Sequence, residues 1–254
     1  MKRDLAWIGS RPIAHRGYHD AAAGRIENTL SAVRAAVERG FAIEVDLLNA
    51  KDEVPVVFHD DTLDRLTFET GRVDRFTAAE LKEIPFRGTT DRIPTLADLL
   101  DAVAGRVGLV LELKSEFPRQ ADDRLAARVA EVLAGYAGPV VLKSFDPEVV
   151  IACHRFMPDI PAGIVADRTD DPDWRRLFGP IERFALRHLL HGFRSRPNFV
   201  SYCVGDLPAP GPWVARRLLG LPVMSWTVRT PEQRAHALKW ADQIVFEGFD
   251  PDRT

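Results

Sequence analysis

Phe41-Ala42-Ile43-Glu44-Val45-Asp46-Leu47 is an apolar, β-branched run with two carboxylates placed two residues apart. Such a run reads as a buried strand, and the pleat puts Glu44 and Asp46 on one face. Isolated carboxylates are costly to desolvate, and two that point the same way also repel. The pair therefore needs positive charge: either a cation held between the two groups, or Arg and Lys side chains from neighbouring strands. Ile13-Ala14-His15-Arg16-Gly17 before it and Val56-Val57-Phe58-His59-Asp60 after it bring histidines into the same reading.

Working outward, Pro12 to Arg16 reads as a first strand, and Asn28 or Thr29 caps a helix that runs to Arg39 and stops at Gly40. After the strand from Phe41 to Leu48 comes an irregular stretch, residues 51–93, longer than an ordinary connection, with a short capped helix at Thr77-Ala78-Ala79-Glu80-Leu81. Thr95 then caps a helix to about Ala104. Strands follow at Gly108–Lys114, Pro139–Phe145, Pro161–Asp167, Phe199–Val204, Leu221–Val228 and Ala241–Phe246. The helices between them run over Arg119–Leu133, from Asp146-Pro147, over Pro180–Leu190, over Pro212–Leu219 and from Thr230-Pro231-Glu232 to Trp240, with an Asp-rich loop around Trp174.

Eight strands alternating with helices predict a closed (β/α)8 TIM barrel spanning residues 1–254 as one domain, with a small insertion at 51–93 after the second strand. The competing doubly wound sheet predicts a Gly-rich fingerprint after the first strand, and Gly17 and Gly24 have the wrong spacing for it. The eighth helix is either missing or supplied by the N-terminal leader.

The 254 residues carry a net charge of -3, with 46% apolar and 28% charged residues, so the chain can bury a full core and presents no basic block for nucleic acid. Cys153 and Cys203 lie in apolar patterns and read as reduced core residues. No secretory leader, membrane span or amphipathic basic anchoring helix is evident, which sets a cytoplasmic expectation with no stable membrane insertion. The oligomeric state is not legible.

In such a barrel the chemistry sits at the C-terminal strand ends. Those ends carry His15 and Arg16, Glu44 and Asp46, His59 in the following loop, Glu112 and Lys114, Lys143 and Ser144, and Trp226. Three carboxylates suit a hard divalent ion, Mg²⁺ or Ca²⁺, better than zinc. Two histidines suit a general acid and a general base, and Arg16 and Lys114 suit an anion. Together they specify phosphate-ester hydrolysis better than other common reactions. Asp60, Asp61 and Asp64 read as a solvated, locally capped loop, and Trp226 as part of a site wall.

The ordered set His15-Arg16-Gly17, Glu27-Asn28-Thr29, Glu44-Val45-Asp46, Val57-Phe58-His59-Asp60, Leu63-Asp64-Arg65-Leu66-Thr67, Ile93-Pro94-Thr95-Leu96, Glu112-Leu113-Lys114, Ser144-Phe145-Asp146 and Trp226-Thr227-Val228 resembles the glycerophosphodiester phosphodiesterases over nearly the whole chain. The resemblance implies a (β/α)8 barrel and metal-dependent hydrolysis of a small glycerophosphodiester to glycerol 3-phosphate and an alcohol. It implies that Glu44, Asp46 and Glu112 hold the metal and that His15 and His59 act as acid and base; by analogy with related phosphodiesterases, whose glycerol hydroxyl attacks phosphorus to give a cyclic phosphate, His15 is favoured as the base and His59 as the acid of the first step. It also implies that Arg16 and Lys114 contact the phosphate, and that Glu27 orients the groups around them.

The chain departs from the family pattern at Asp52-Glu53, at Arg229 and at Phe246-Glu247-Gly248, positions that bear on the pocket mouth rather than on the metal or the histidines. Arg229 reads as solvent-facing. Two other readings are a lysophospholipid-directed phosphodiesterase and a barrel that binds phosphodiesters without hydrolysing them.

Overall fold

A computed structural model of the chain describes residues 5–115 and 122–253. Its contacts divide into two compact units, one spanning Ile13–Lys114 and Asp123–Val140, the other built chiefly from Val141–Thr254.

The first unit begins with β1 (Ile13–His15), α1 (Leu30–Glu38) and β2 (Ala42–Asn49). Thr29, not Asn28, caps α1: its side chain accepts from the Ala32 N–H, while Ala32, Val33, Ala36 and Val37 supply the buried face. Gly40 at φ 65° then turns the chain into β2, which is buried from Ala42 to Leu47. Next come β3 (Pro55–Val57), α2 (Ala78–Leu81), α3 (Leu96–Val103), β4 (Leu109–Leu113) and α4 (Arg124–Leu133). Capping boxes at Thr77/Glu80 and Thr95/Asp98 open α2 and α3. The expected start of α4 at Arg119 lies outside the described residues.

The stretch after β2 is more ordered than its sequence suggests. Strand β3 turns back antiparallel on β2, Leu47 facing Val57 and Asn49 facing Pro55. Behind it Val56, Phe58, Leu63, Leu81, Phe86 and Ile93 form a hydrophobic cluster. Glu53 takes the left-handed φ of 60° in the connecting turn and meets Arg128 at 2.7 Å.

The second unit carries β5 (Val140–Ser144), α5 (Pro147–Phe156), β6 (Ala162–Ala166), α6 (Pro172–Leu177), α7 (Pro180–Arg187), α8 (Gly192–Ser195), β7 (Val200–Cys203), α9 (Pro210–Arg217), β8 (Val223–Val228), α10 (Pro231–Ala237) and β9 (Gln243–Phe246). Asp146 caps α5 through the Glu148 N–H, with Pro147 in the first turn. The Asp-rich stretch expected to be a loop contains α6, whose Trp174 indole N–H donates to Asp167. Among the described residues no helix follows β9. A 3-10 turn at Ala6–Gly9 precedes β1, and Arg11 pairs with Asp252 at 2.8 Å.

The sheet order is β1-β9-β8-β7-β6-β5-β4-β2-β3, with β1 also paired to β2. Eight parallel strands with helices between them make the (β/α)8 barrel, and β3 is the ninth, antiparallel addition.

Gly17 is where this architecture meets the site. It follows His15 and Arg16 at φ 81°, its N–H donates to the Glu44 carbonyl, and a Cβ there would stand 2.9 Å from the Ala32 backbone. Gly17→Ala is expected to cost at least about 2 kcal/mol and lower Tm by roughly 5 °C, read by thermal unfolding. An unchanged Tm would remove this account of the turn.

Candidate active site

Strand register brings the acidic groups together. In β2 Glu44 stands beside His15 of β1, and Asp46 stands beside Glu112 of β4. Because the three strands are parallel and in register, alternate residues share one side, so spacing along β2 becomes proximity across the sheet. Glu44, Asp46 and Glu112 are all buried, and one oxygen of each lies within 4.8 Å of the others.

Positive charge surrounds them. The Lys114 ammonium, just past β4, lies 2.9 Å from Asp46 and donates to Glu112 at 2.5 Å. Arg16 Nε lies 3.3 Å from Asp46. Burial by itself raises the Asp46 pKa, but Lys114, His59 and Arg16 outweigh it and hold the carboxyl well below the ordinary carboxylate range. In the same way, burial lowers the Lys114 pKa while Asp46 and Glu112 carry it above its usual value. Ion pairs to Arg and Lys are therefore present, and the carboxylates remain an all-oxygen set of hard donors with charge to spare for a divalent ion.

Asn28 takes a part its sequence position as a helix cap did not suggest. At φ 59° its side-chain amide donates to Asp46 Oδ2 at 3.0 Å and its carbonyl accepts the Asp46 N–H at 3.3 Å. Asn28 thus holds Asp46 at two points, one on the carboxylate and one on its backbone. The cue was the Glu27-Asn28-Thr29 triplet: only one of its two cap candidates was needed for α1.

His15 is buried with Nε2 3.9 Å from Glu44 Oε2. His59 is more open, with 32% of its side chain exposed, and its Nδ1 bonds Asp60 Oδ1 at 2.6 Å. An ionised carboxylate only accepts, so Asp60 fixes the proton on Nδ1 and leaves Nε2 as the exchanging nitrogen.

Asp60 is therefore not a bystander in a solvated loop. Arg65 grips it at 2.6 and 2.9 Å and also grips Glu27 at 2.7 and 3.1 Å, while Glu27 accepts from Arg16 at 2.5 Å. The result is a chain of alternating charge, Asp46–Arg16–Glu27–Arg65–Asp60–His59, from the buried carboxylates to the outer histidine. Arg65 is the member that sequence reasoning left without a role, although it stood in the Leu63-Asp64-Arg65 triplet.

Burial raises the pKa values of Glu27 and Asp60, and Arg65, with Arg16 or His59, brings both below the ordinary range. Groups lowered in the folded state add stability that is present above the unfolded carboxylate pKa of about 4 and is lost as pH falls through their folded values. The Tm difference between wild type and Arg65→Met is thus expected to be constant at neutral pH and to shrink below about pH 4. A difference that persists undiminished at that pH would mean the pairs do not stabilise the fold.

Trp226 lies inside β8 rather than at its end. Its indole N–H donates to the Ser201 carbonyl, and its ring meets Phe145 edge-on at 5.5 Å. Lys143 is buried on β5. Arg229 is exposed as expected, but pairs with Glu247 at 2.7 Å, so two of the departures from the family pattern are each other's partner. Cys153 is buried, Cys203 is partly exposed, and both are free.

Buried acidic oxygens, fixed cations and His15 at parallel strand ends, with His59 just past β3, are the groups a phosphoric diester hydrolase needs. The sequence model of the glycerophosphoryl diester phosphodiesterase family matches residues 15–249, and the chain belongs to that family. Among its relatives, YhdW of Bacillus subtilis (strain 168) is 30% identical over 241 residues, covering 88% of both chains. Glycerophosphodiester phosphodiesterase 1 of Rattus norvegicus is 38% identical over 250 residues, covering 87% of this chain and 72% of its own length. An Oleispira antarctica phosphodiesterase solved with its product sn-glycerol-3-phosphate shares the fold at a TM-score of 0.75 and 22% identity, covering 93% of this chain and 92% of that one.

Proposed function

We propose that the chain cleaves glycerophosphodiesters to glycerol 3-phosphate and the free alcohol, with His15 and His59 as the acid–base pair and with Glu44, Asp46 and Glu112 holding Mg²⁺ or Ca²⁺. The carrying observation is the convergence of three buried carboxylates within 4.8 Å, flanked by His15, Arg16 and Lys114. Glu44, Asp46 and Glu112 would hold the ion, which would supply positive charge against the charge building on the phosphoryl oxygens.

In the first step His15 Nε2 takes the proton of the glycerol hydroxyl next to the phosphate, and that oxygen attacks phosphorus. The P–O bond to the alcohol breaks, and His59 Nε2 gives its proton to the departing oxygen. A cyclic phosphate results, which water opens with the two histidines in reversed roles to give glycerol 3-phosphate. The internal hydroxyl needs no separate capture from solvent. Arg16 and Lys114 supply fixed positive charge to the phosphate, and Glu27 holds Arg16.

The test is release of glycerol 3-phosphate from glycerophosphocholine and glycerophosphoethanolamine. Chelation is expected to abolish release, and Mg²⁺ or Ca²⁺ to restore it. Full turnover after exhaustive chelation would refute the metal assignment, and no release with either ion would refute the substrate. Oxygen-only donors favour these two ions over zinc. The two free thiols are in keeping with a reducing, cytoplasmic location. Among the described residues no helix is long and apolar enough to cross a membrane.

A further inference from the structure

Helix α7 is amphipathic in sequence, yet none of its residues is buried. Ile181 and Phe184 stand three apart on it, with His188 one turn beyond in ring contact with Phe184 at 4.3 Å. Ile181 is 84% exposed and Phe184 49%, and Phe193 in α8 is again 84% exposed. Leu177 and Leu190 add to the same short stretch. Large apolar side chains so exposed and so close along the chain are the composition of an interaction surface.

The charge around them is specific. Pro172–Arg196 holds six arginines against two carboxylates, on a chain whose total is -3. Arg175, Arg176, Arg194 and Arg196 are exposed. Arg183 and Arg187 lean toward Asp170 at 3.9 and 3.8 Å, and Arg194 pairs with Glu148. Arginines flanking exposed Ile, Leu and Phe match the apolar–basic layering of an anionic lipid interface, where the rings and alkyl groups enter the headgroup boundary and the guanidiniums stay at phosphate level. A second copy of this chain fits worse, since a self-paired patch would set one arginine cluster against another.

We propose that the α6–α8 segment is a docking surface for an anionic lipid bilayer, held reversibly through Ile181, Phe184, Leu190 and Phe193 and steered by the surrounding arginines. The surface lies on the helix that the sequence places near Pro180–Leu190, found at Pro180–Arg187. The surface is independent of the reading of the active site, because its test measures partition and not turnover.

The full chain is sedimented with phosphatidylcholine vesicles with and without phosphatidylglycerol. Binding is expected only to the anionic vesicles and is expected to weaken with salt. Ile181→Ser/Phe193→Ser is expected to lower partition roughly tenfold or more, and Arg175→Glu/Arg176→Glu by roughly fivefold for each arginine removed. Both variants should keep the wild-type circular dichroism and turnover of water-soluble glycerophosphocholine. Absence of binding to anionic vesicles would overturn the proposal, as would unchanged partition of the Ile181/Phe193 variant. Loss confined to Trp213→Ser/Leu218→Ser would move the surface to α9 and overturn it too. So would a wild-type dimer in light scattering that the Ile181/Phe193 variant converts to a monomer.

Discussion

Asp46→Asn is expected to lower kcat/KM by roughly 10³-fold or more and to weaken Mg²⁺ or Ca²⁺ binding measured by calorimetry. Asp46 is the carboxylate on which the site converges: Asn28, Arg16 and Lys114 all bind it, and it lies beside Glu112 in register. The amide keeps the shape and removes the charge. It also turns an acceptor into a donor opposite either the Lys114 ammonium or the Asn28 NH₂, so one contact is lost whichever way it is oriented.

Breaking a buried ion pair typically costs about 3–5 kcal/mol. Here the loss should fall below that range, because Lys114 keeps Glu112 and Arg16 keeps Glu27. A folded Asp46→Asn protein with wild-type metal affinity and turnover would sink the metal assignment. If only turnover falls while metal affinity is unchanged, Asp46 acts by orienting Arg16 and Lys114 instead.

His15→Ala and His59→Ala are each expected to lower turnover of glycerophosphocholine by roughly 10²-fold or more. The two should separate on a substrate with a nitrophenolate leaving group. Such a group departs without a proton, so the acid becomes dispensable while the base does not. In the step that releases nitrophenolate, read as a burst, His59→Ala is expected to recover most of its rate and His15→Ala little, while steady turnover of His59→Ala stays low because His59 is the base of the second step. The geometry supports this order, since His15 lies deep beside Glu44 whereas His59 is open and oriented by Asp60. Recovery in His15→Ala alone would reverse the roles, and near-normal glycerophosphocholine turnover in both variants would end the scheme.

The barrel was legible because its determinants are local. Each strand is a short apolar run, and several helices open on a cap that residue type reveals, as at Thr29, Thr95, Asp146 and Thr230. The acidic pair was legible for the same reason: alternation along one strand fixes a shared face. Where the pattern was weak the reading was coarse. Residues 172–177 looked like a loop because aspartates precede them, yet they form α6; and β3 is only three residues long, stabilised by β2 and the cluster behind it.

Spacing along the chain is enough to place the alternating strands and helices, the carboxylates at 44, 46 and 112 and the histidines at 15 and 59. Which partner each group has was set by the folded arrangement. It moved Asn28 from a helix cap to Asp46, made Arg65 the bridge between Glu27 and Asp60, and set Lys114 on Asp46 and Glu112. It also left Ile181 and Phe193 uncovered. Local pattern is written in the order of residues, whereas hydrogen bonds, ion pairs and exposure depend on elements far apart in the chain meeting at one place.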